Sequence, residues 1–562
     1  MTNFILRFYH GKAKNIISLA AVGLVTLAIM LWFFWISVLP TTQRIVPQTG
    51  EPATFLIVYF WLIAIALIIA LPLLYYMLFI RRAKMQNIFL ASAFTFGILL
   101  MFVYLPFAYY DETHAHIPGT FQRASRLLGE FSIVDVNTHG RRIGYWRHHE
   151  DWWHPSYSEW WQPASAIAHP FVRYQSGLRG YYFVYDNFFS LNSRELSESR
   201  IVSARMWGQW YQYSPQVFGV AFAKLLGLGS VATLFMGRLF ALAAFIGIVY
   251  RGISICNKKF KTMFVLLGLT PIALVSAASF SYDTLMMSMG FLFIAMVLNI
   301  AFFQEEHISA SQLFILLVLS AFIAPYKYIY LPLLFLPIII PKERFYRNEK
   351  VFTIACIIAM GVITFSVSGG AFGAIMNIFD NVVQDSPVQA GGRSTLLDYL
   401  GDNPQRFFAV FTQTFFYQAG NIFIQLRNWE PPPWAWQWPD IRFPIWIHII
   451  AGFMLLASVS PSAHDENLAL IKPKHRITMI AIVVAIYSVA IVATMGWRGQ
   501  GLFVVGTYLQ PRYFVPIIPL FVMPFYNVLK RVKANDRLLI FIMCAINAYA
   551  VIYYFTHNTF AN

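Results

Sequence analysis

The residues best suited to chemistry stand in one short stretch, where a long apolar run meets polar residues. Asp111 and Glu112 end the run that begins near Gln86, and His114 and His116 follow them. If a helix continues through the acidic pair, the two carboxylates point about 100° apart and cannot both address one atom. We therefore expect two roles: one carboxylate takes a proton from an attacking hydroxyl, and the other positions a donor or binds a divalent cation.

The same stretch also fits a plainer interpretation, a solvated helix end, where acidic residues are common. His114 and His116 add candidate metal ligands or hydrogen-bond partners that line a site. These residues do not match a recognised metal-binding spacing. A Mg²⁺ or Mn²⁺ ion held by Asp111, Glu112 and His116 therefore stays an open prediction.

A second group of residues carries positive charge and suits an anionic ligand. Arg512 enters an apolar run on the predicted outer side, where the positive-inside rule would not place an arginine. Arginine binds phosphate with two donors and stays charged, although it also snorkels to lipid headgroups. Lys327 is a similar case, and Arg123 and Arg126 share one face of a short predicted helix, either to clamp a lipid phosphate or to anchor on headgroups.

The ionisable residues near membrane spans share one predicted depth, the outer ends of the spans. They are Asp111, Glu112, Arg238, Asp283, Lys327, Arg498 and Arg512. A proton or ion relay needs charges at several depths. The pattern therefore favours a site that opens at the outer leaflet.

Composition places these residues in a membrane protein. The chain has 562 residues, of which 58% are hydrophobic and 12% are charged, whereas about a quarter of the residues of soluble proteins are charged. The net charge of +16 comes from short basic clusters between apolar runs, which indicate topology and contacts with anionic lipids rather than nucleic-acid binding.

Apolar runs of about 20 residues predict an all-α polytopic fold. We count thirteen candidates, near 16–39, 54–80, 86–108, 231–250, 262–280, 284–303, 309–325, 327–341, 351–369, 444–460, 477–496, 513–529 and 537–556. The lysines and arginines between them orient the amino terminus to the cytoplasm. With this parity, Pro404 to Leu426 and Ser214 to Leu228 become interfacial or re-entrant helices on the outer face.

Two large segments, about 109–230 and 370–443, are then expected outside the membrane. They contain eleven of the sixteen tryptophans. Tryptophan is common in the aromatic belt at a membrane surface. The alternative is a folded platform whose rings stack on sugars.

Several further pieces, taken in order, carry a resemblance to a known family. They are Asp111-Glu112 with a following histidine, Tyr213-Ser214-Pro215 leading to Gly237-Arg238-Leu239, Leu269-Thr270-Pro271 leading to Ser281-Tyr282-Asp283, Tyr328 to Pro341, and Gln510 to Pro519. The chain resembles bacterial polytopic membrane proteins of a domain of unknown function that is grouped with GT-C-type glycosyltransferases. The resemblance covers roughly 86 to 530, which leaves 1–85 as two added spans and 531–562 as a final span.

The resemblance implies an enzyme of the bacterial inner membrane that works on its extracytoplasmic side. Such an enzyme moves a sugar from a polyprenyl-phosphate carrier to a glycan, lipid-linked glycan or protein, inverts the anomeric carbon and uses no nucleotide cofactor. Asp111 would then be the base, with Glu112 as its partner. Arg512 is the first candidate for the donor phosphate, before Lys327, Arg238 and Arg123, and Tyr213, Asp283 and Arg498 are candidates to line the site.

Two other classes of function compete with this prediction. A lipid or solute transporter or flippase would need charges along a transmembrane path and smaller outer loops. A non-catalytic protein of glycan assembly would keep the fold without the reaction. Release of sugar from a labelled carrier distinguishes the three.

Overall fold

The computed structural model describes most of the membrane-embedded chain and parts of the segments between. The described ranges are 2–46, 50–105, 117–136, 142–146, 178–191, 200–203, 210–346, 349–367, 404–425, 445–459, 471–495, 511–526 and 535–560. All structural statements below refer to these ranges.

Helices account for most of the described residues, as the apolar runs predict. The α-helices are α1 (Thr2–Phe33), α2 (Phe55–Tyr75), α3 (Met85–Val103), α4 (Ile117–Leu127), α5 (Leu178–Asn187), α6 (Ser214–Leu225), α7 (Ser230–Ile255), α8 (Lys258–Gly268), α9 (Pro271–Ala277), α10 (Asp283–Phe302), α11 (Ala310–Tyr326), α12 (Lys350–Val367), α13 (Pro404–Gln425), α14 (Ile445–Ser458), α15 (Pro473–Met495), α16 (Ile518–Val522) and α17 (Asp536–Phe560). A π-helical turn extends α1 over Phe34–Val38, with a last helical turn at Leu39–Thr41, and another extends α2 over Tyr76–Ile80. The 3-10 helices are Trp210–Tyr213, Tyr328–Ile339, Lys342–Arg344, Pro511–Ile517 and Met523–Phe525.

Seven of the described helices are long and apolar enough to cross a membrane. They are Asn15–Thr41, Phe55–Ile80, Met85–Val103, Ser230–Ile255, Asp283–Phe302, Pro473–Val492 and Asp536–Thr556. The bent pair α8 and α9 raises the number to eight if it forms one span. The other predicted spans coincide with shorter apolar helices, so the total of thirteen stays a prediction.

Helix α10 lies at the centre of the described bundle. It is the most deeply buried of the candidate spans, and it packs against α7, α11 and the 3-10 helix Pro511–Ile517. A helix that is apolar on all sides lies in a protein core or in a membrane, and the burial of α10 by its neighbours places it in the core. In contrast, α1 and α2 expose large apolar side chains such as Leu24 and Leu62, which suit contact with lipid.

Two breaks in the helices are held by side-chain amides. Helices α8 and α9 meet at an angle of 58°, and Asn547 Nδ2 donates to the Leu269 carbonyl at this bend over 2.7 Å. Between α9 and α10, Gln216 Nε2 donates to the carbonyls of Ser279 (3.5 Å) and Ser281 (3.1 Å). Non-helical backbone in a membrane needs such protein partners. The second break places Asp283 in the first turn of α10.

Both segments that were predicted to be interfacial or re-entrant are helical. Helix α6 covers most of Ser214 to Leu228 and, with 12 residues, is about 18 Å long, too short to cross the hydrocarbon core. It packs closely on α7, since a Cβ atom at Gly219 would lie 2.6 Å from the Met236 carbonyl oxygen. Helix α13 occupies most of Pro404 to Leu426, the other segment that was predicted to be interfacial.

A small antiparallel sheet adds an element that the all-helical expectation did not contain. Its strands are β1 (Phe131–Val136), β2 (Arg142–Trp146) and β3 (Arg200–Ser203), in the order β1-β2-β3. The register of β1 against β2 shifts between Ile133 and Asp135. All three strands belong to the predicted outer segment 109–230.

Candidate functional site

The predicted site residues divide by what the structure describes. Asp111, Glu112, His114, His116 and Arg498 lie outside the described residues. Arg512 belongs to the 3-10 helix Pro511–Ile517, where only its backbone is described. Arg123, Tyr213, Arg238, Asp283 and Lys327 are described with their side chains.

A carboxylate and two tyrosine rings hold Lys327, the residue that follows α11. Its Nζ atom donates to Asp283 Oδ1 at 2.5 Å and lies 4.7 Å from the ring centroid of Tyr282 and 3.9 Å from that of Tyr513. The lysine and aspartate side chains are only 11% and 6% exposed. Because the pair is removed from water, each charge needs the other to stay ionised inside the protein. The faces of the two tyrosine rings add cation–π attraction for the Lys327 ammonium group.

The contacts continue from Lys327 to Arg123. The Tyr282 ring meets the Tyr213 ring edge-on at 5.8 Å, and the Arg123 guanidinium lies 4.8 Å from the Tyr213 centroid. Burial lowers the pKa of the Arg123 guanidinium, while its interaction with Tyr213 opposes that shift. We call the set Arg123, Tyr213, Tyr282, Asp283, Lys327 and Tyr513 the cation–tyrosine cluster.

Five separate segments bring the cation–tyrosine cluster together. They are α4, the 3-10 helix Trp210–Tyr213, the start of α10, the end of α11 and the 3-10 helix Pro511–Ile517. Gln212 Nε2 donates to the Tyr326 carbonyl (3.1 Å) and so joins two of these segments. The Tyr330 hydroxyl of the neighbouring 3-10 helix Tyr328–Ile339 donates to the Tyr513 carbonyl (2.8 Å). Burial raises the pKa of Tyr211, which packs on Tyr326, to about 12, so its phenol stays neutral.

Arg238 lies outside the cation–tyrosine cluster and binds main-chain carbonyls instead. It is fully buried in α7, and its Nη1 atom donates to the carbonyls of Met101 (3.4 Å) and Tyr104 (2.5 Å) while Nη2 donates to Leu105 (3.0 Å). The last carbonyls of a helix have no partners within the helix and favour a nearby cation. These contacts indicate a positioning role for Arg238, and its predicted role in phosphate binding stays a prediction.

Two tyrosines complete this arrangement at the end of α3. The Tyr59 hydroxyl donates to the Phe102 carbonyl (2.8 Å), and the Tyr181 hydroxyl donates to the Val103 carbonyl (2.6 Å). Side chains of three other segments thus bind the five successive carbonyls of residues 101–105, and we call this set the α3 cap. It fixes the backbone six residues before Asp111.

Helix α4, which carries Arg123, is anchored at its far end. Lys224 of α6 donates to Ser125 Oγ (2.5 Å) and pairs with Glu130. Burial lowers the pKa of the Lys224 ammonium, and Glu130 counteracts that effect. Next to Arg123, both polar side-chain atoms of Gln122 are buried without a hydrogen-bond partner among the described residues.

The described ranges contain no group of three or more His, Cys, Asp or Glu residues that could hold a metal ion. The predicted metal ligands lie outside these ranges, so the metal prediction stays open.

Comparison with known proteins gives a family for the chain. Residues 203–521 match the model of a family described as "Predicted membrane protein (DUF2142)", and this range is more than half of the chain. The chain belongs to this family. The DUF2142 region includes Tyr213, Tyr282, Asp283, Lys327 and Tyr513, whereas Arg123 and the α3 carbonyls precede it. No curated protein and no solved structure matches the chain.

Membership in DUF2142, together with the seven apolar spans, makes this protein a membrane protein whose surface contacts lipid. The matched region lies inside the predicted core, 86–530. The boundaries of that core stay a prediction.

No role was predicted from the sequence for Tyr59, Tyr181, Gln216 or Tyr282. Tyr59, Gln216 and Tyr282 have polar groups in or beside an apolar run, whereas Tyr181 lies in the predicted outer segment and gave no such signal. Such groups need hydrogen-bond or cation partners inside the protein.

Proposed function

We propose that this protein is a GT-C-like membrane glycosyltransferase that moves a sugar from a polyprenyl-phosphate carrier to an acceptor on the extracytoplasmic side. The cation–tyrosine cluster carries the proposal. At the amino-terminal end of α10 it brings together two cations, one carboxylate and three tyrosine rings. These groups suit a sugar phosphate, since its phosphate needs cations and its sugar ring packs on aromatic faces.

The cluster also supports a role for Arg512. This residue directly precedes Tyr513, whose ring lies against Lys327. Arg512 and Lys327 are therefore our candidates for the donor phosphate, with Arg123 at the other end of the cluster. Arginine offers two parallel donors to a phosphate, which lysine cannot.

In this proposal Asp111 takes the proton of the acceptor hydroxyl as that oxygen attacks the anomeric carbon. The bond to the carrier phosphate breaks, positive charge grows on the sugar ring and negative charge grows on the leaving phosphate. A carboxylate near the ring and cations near the phosphate stabilise that state more than the ground state, which is what accelerates the step.

The α3 cap supports the choice of Asp111 as the base. A general base acts only when it is held within hydrogen-bond reach of the proton that it accepts. The cap binds the main-chain carbonyls as far as Leu105, six residues before Asp111. About thirteen spans, a cytoplasmic amino terminus and inversion at the anomeric carbon complete the proposal.

Replacement of the proposed base tests the function. We expect Asp111→Asn in purified, reconstituted protein to lower transfer from a labelled polyprenyl-phosphate sugar by at least about a hundredfold. Asp186→Asn, at an exposed aspartate of α5, is the matched control. Full activity of Asp111→Asn, with folding equal to that of the control, would contradict the proposal.

A second measurement identifies the acceptor and separates the transferase from the two rival functions. The same labelled carrier is incubated with the protein in vesicles, with and without candidate acceptors. Sugar release that depends on an acceptor supports the transferase. Movement of intact carrier across the bilayer indicates a flippase, and binding without either process indicates an assembly protein.

A further inference from the structure

A cavity lies between α7, α10 and α11, at the end of α10 that is farther from Asp283. Its volume is about 130 Å³. It is lined by Arg251, Ile255, Leu292, Met296, Asn299, Ile300, Ser311, Gln312 and Ile315.

Distance along α10 separates this cavity from the cation–tyrosine cluster. Asn299 follows Asp283 by sixteen residues, which is about 24 Å along a helix. Arg251 similarly lies about 31 Å along α7 from Ser230. These distances approach the thickness of the hydrocarbon core, so the cavity stands near the opposite membrane surface, the cytoplasmic one in our predicted orientation.

Two polar groups of the cavity are available to a ligand. Neither the Arg251 guanidinium nor the Asn299 side-chain amide has a hydrogen-bond or ionic partner within the part of the chain that the structure describes. Gln312, in contrast, is engaged: its amide pairs with Gln304 and accepts from the Ser309 backbone in the cap of α11. The rim at α11 is thereby held in place.

The rest of the wall is apolar. Leu292, Met296 and Ile300 of α10 are buried, and Ile255 and Ile315 are partly buried on the flanking helices. One cation, one amide and an apolar wall at membrane depth match a lipid that has a phosphate head. Inorganic phosphate would gain nothing from the wall.

We propose that this cavity binds the phosphate of an anionic phospholipid from the membrane leaflet opposite the cation–tyrosine cluster. The Arg251 guanidinium donates two hydrogen bonds to the phosphate, and the Asn299 side-chain amide donates another. The first carbons of the acyl chains lie on Ile255 and Ile315. Further basic residues, Lys258, Lys259 and Lys261, follow α7 closely and attract anionic rather than zwitterionic lipids. Neither the cavity nor this lipid is part of the proposed sugar transfer.

Photolabelling of the full chain tests the proposal. The protein is reconstituted in phosphatidylcholine nanodiscs that contain a photoactivatable phosphatidylglycerol, and labelled peptides are mapped by mass spectrometry. We expect labels on α7, α10 and α11, and an approximately fivefold loss in Arg251→Gln, as for one partly exposed charge-assisted contact. Arg81→Gln, an exposed arginine at the predicted cytoplasmic end of α2 and outside the cavity, should label as the wild type does.

Two further measurements keep the test decisive. Arg251→Lys retains the charge and should lose about twofold, and Asn299→Leu should lose labelling without loss of charge. Equal labelling in the wild type and all three cavity variants would overturn the proposal. So would equal labelling by a photoactivatable phosphatidylcholine, or displacement of the lipid by millimolar inorganic phosphate.

Discussion

Lys327 Nζ lies 2.5 Å from Asp283 Oδ1, although the two residues belong to different helical segments and are 44 positions apart. Both side chains are almost fully buried. Each charge is therefore tolerated only because the other is present. The pair joins the first turn of α10 to the end of α11, and the Tyr282 and Tyr513 rings stand against the same ammonium group.

Removal of one charge of this pair should destabilise the protein. Asp283→Asn leaves a buried ammonium group without its carboxylate, and we expect a loss of about 3 kcal/mol in the free energy of unfolding. Thermal unfolding in detergent measures the effect. Asp283→Asn combined with Lys327→Met should recover part of the loss, and Asp186→Asn should change little. If Asp283→Asn alone were as stable as Asp186→Asn, the two buried charges would not depend on each other.

The ring of Tyr513 should matter more than its hydroxyl. Tyr513→Phe keeps an aromatic face over Lys327, whereas Tyr513→Leu removes a cation–π contact worth about 1 kcal/mol. We expect Tyr513→Leu to raise KM for the labelled donor about fivefold, with Tyr513→Phe near the wild type. If both variants behave alike, the ring face has no part in holding Lys327 for the donor.

The α3 cap should affect turnover more than substrate affinity. Arg238→Met removes three hydrogen bonds to main-chain carbonyls and should cost about 3 kcal/mol of stability. Because the cap fixes the chain before Asp111, kcat should fall while KM for the donor stays near its wild-type value. Arg81→Met, at an exposed arginine that follows α2, is the matched control. A rise in KM without a fall in kcat would instead favour phosphate binding by Arg238.

The buried amide of Gln122 gives a prediction in which stability and activity separate. Gln122→Met keeps the volume and removes two polar atoms that have no partner among the described residues, so stability should stay equal or rise by about 1 kcal/mol. If this amide binds a sugar hydroxyl, KM should rise about tenfold. Steady-state transfer and thermal unfolding are compared with those of Asp186→Asn. Unchanged kinetics would exclude a role in substrate binding.

The membrane fold could be predicted well from local sequence, because burial in lipid demands long apolar runs. The total of thirteen spans stays a prediction, because several of the apolar runs form short helices. Tyr328–Ile339 is apolar enough for a span, but Pro332 and Pro337 interrupt α-helical hydrogen bonding and the segment forms a 3-10 helix. With a rise of about 2 Å per residue, its twelve residues reach about 24 Å, farther than an α-helix of that length.

The cation–tyrosine cluster was predictable only in part. A shared predicted depth brought Asp283 and Lys327 into one candidate site before any contact was known. The α3 cap was not predictable, since Tyr59, Tyr181 and Arg238 lie 43, 78 and as many as 137 positions from the carbonyls that they bind. Local pattern carries no information on such pairs.

The hydrogen bond from Asn547 to the bend at Leu269 has a consequence for biosynthesis. The donor is made 278 residues after the acceptor, which at ribosomal speed means a delay of roughly 14 to 56 seconds. If the kinked segment enters the bilayer before α17 is made, the Leu269 carbonyl lacks this donor during that interval. Water or the insertion machinery would then have to supply a hydrogen-bond donor until α17 is inserted.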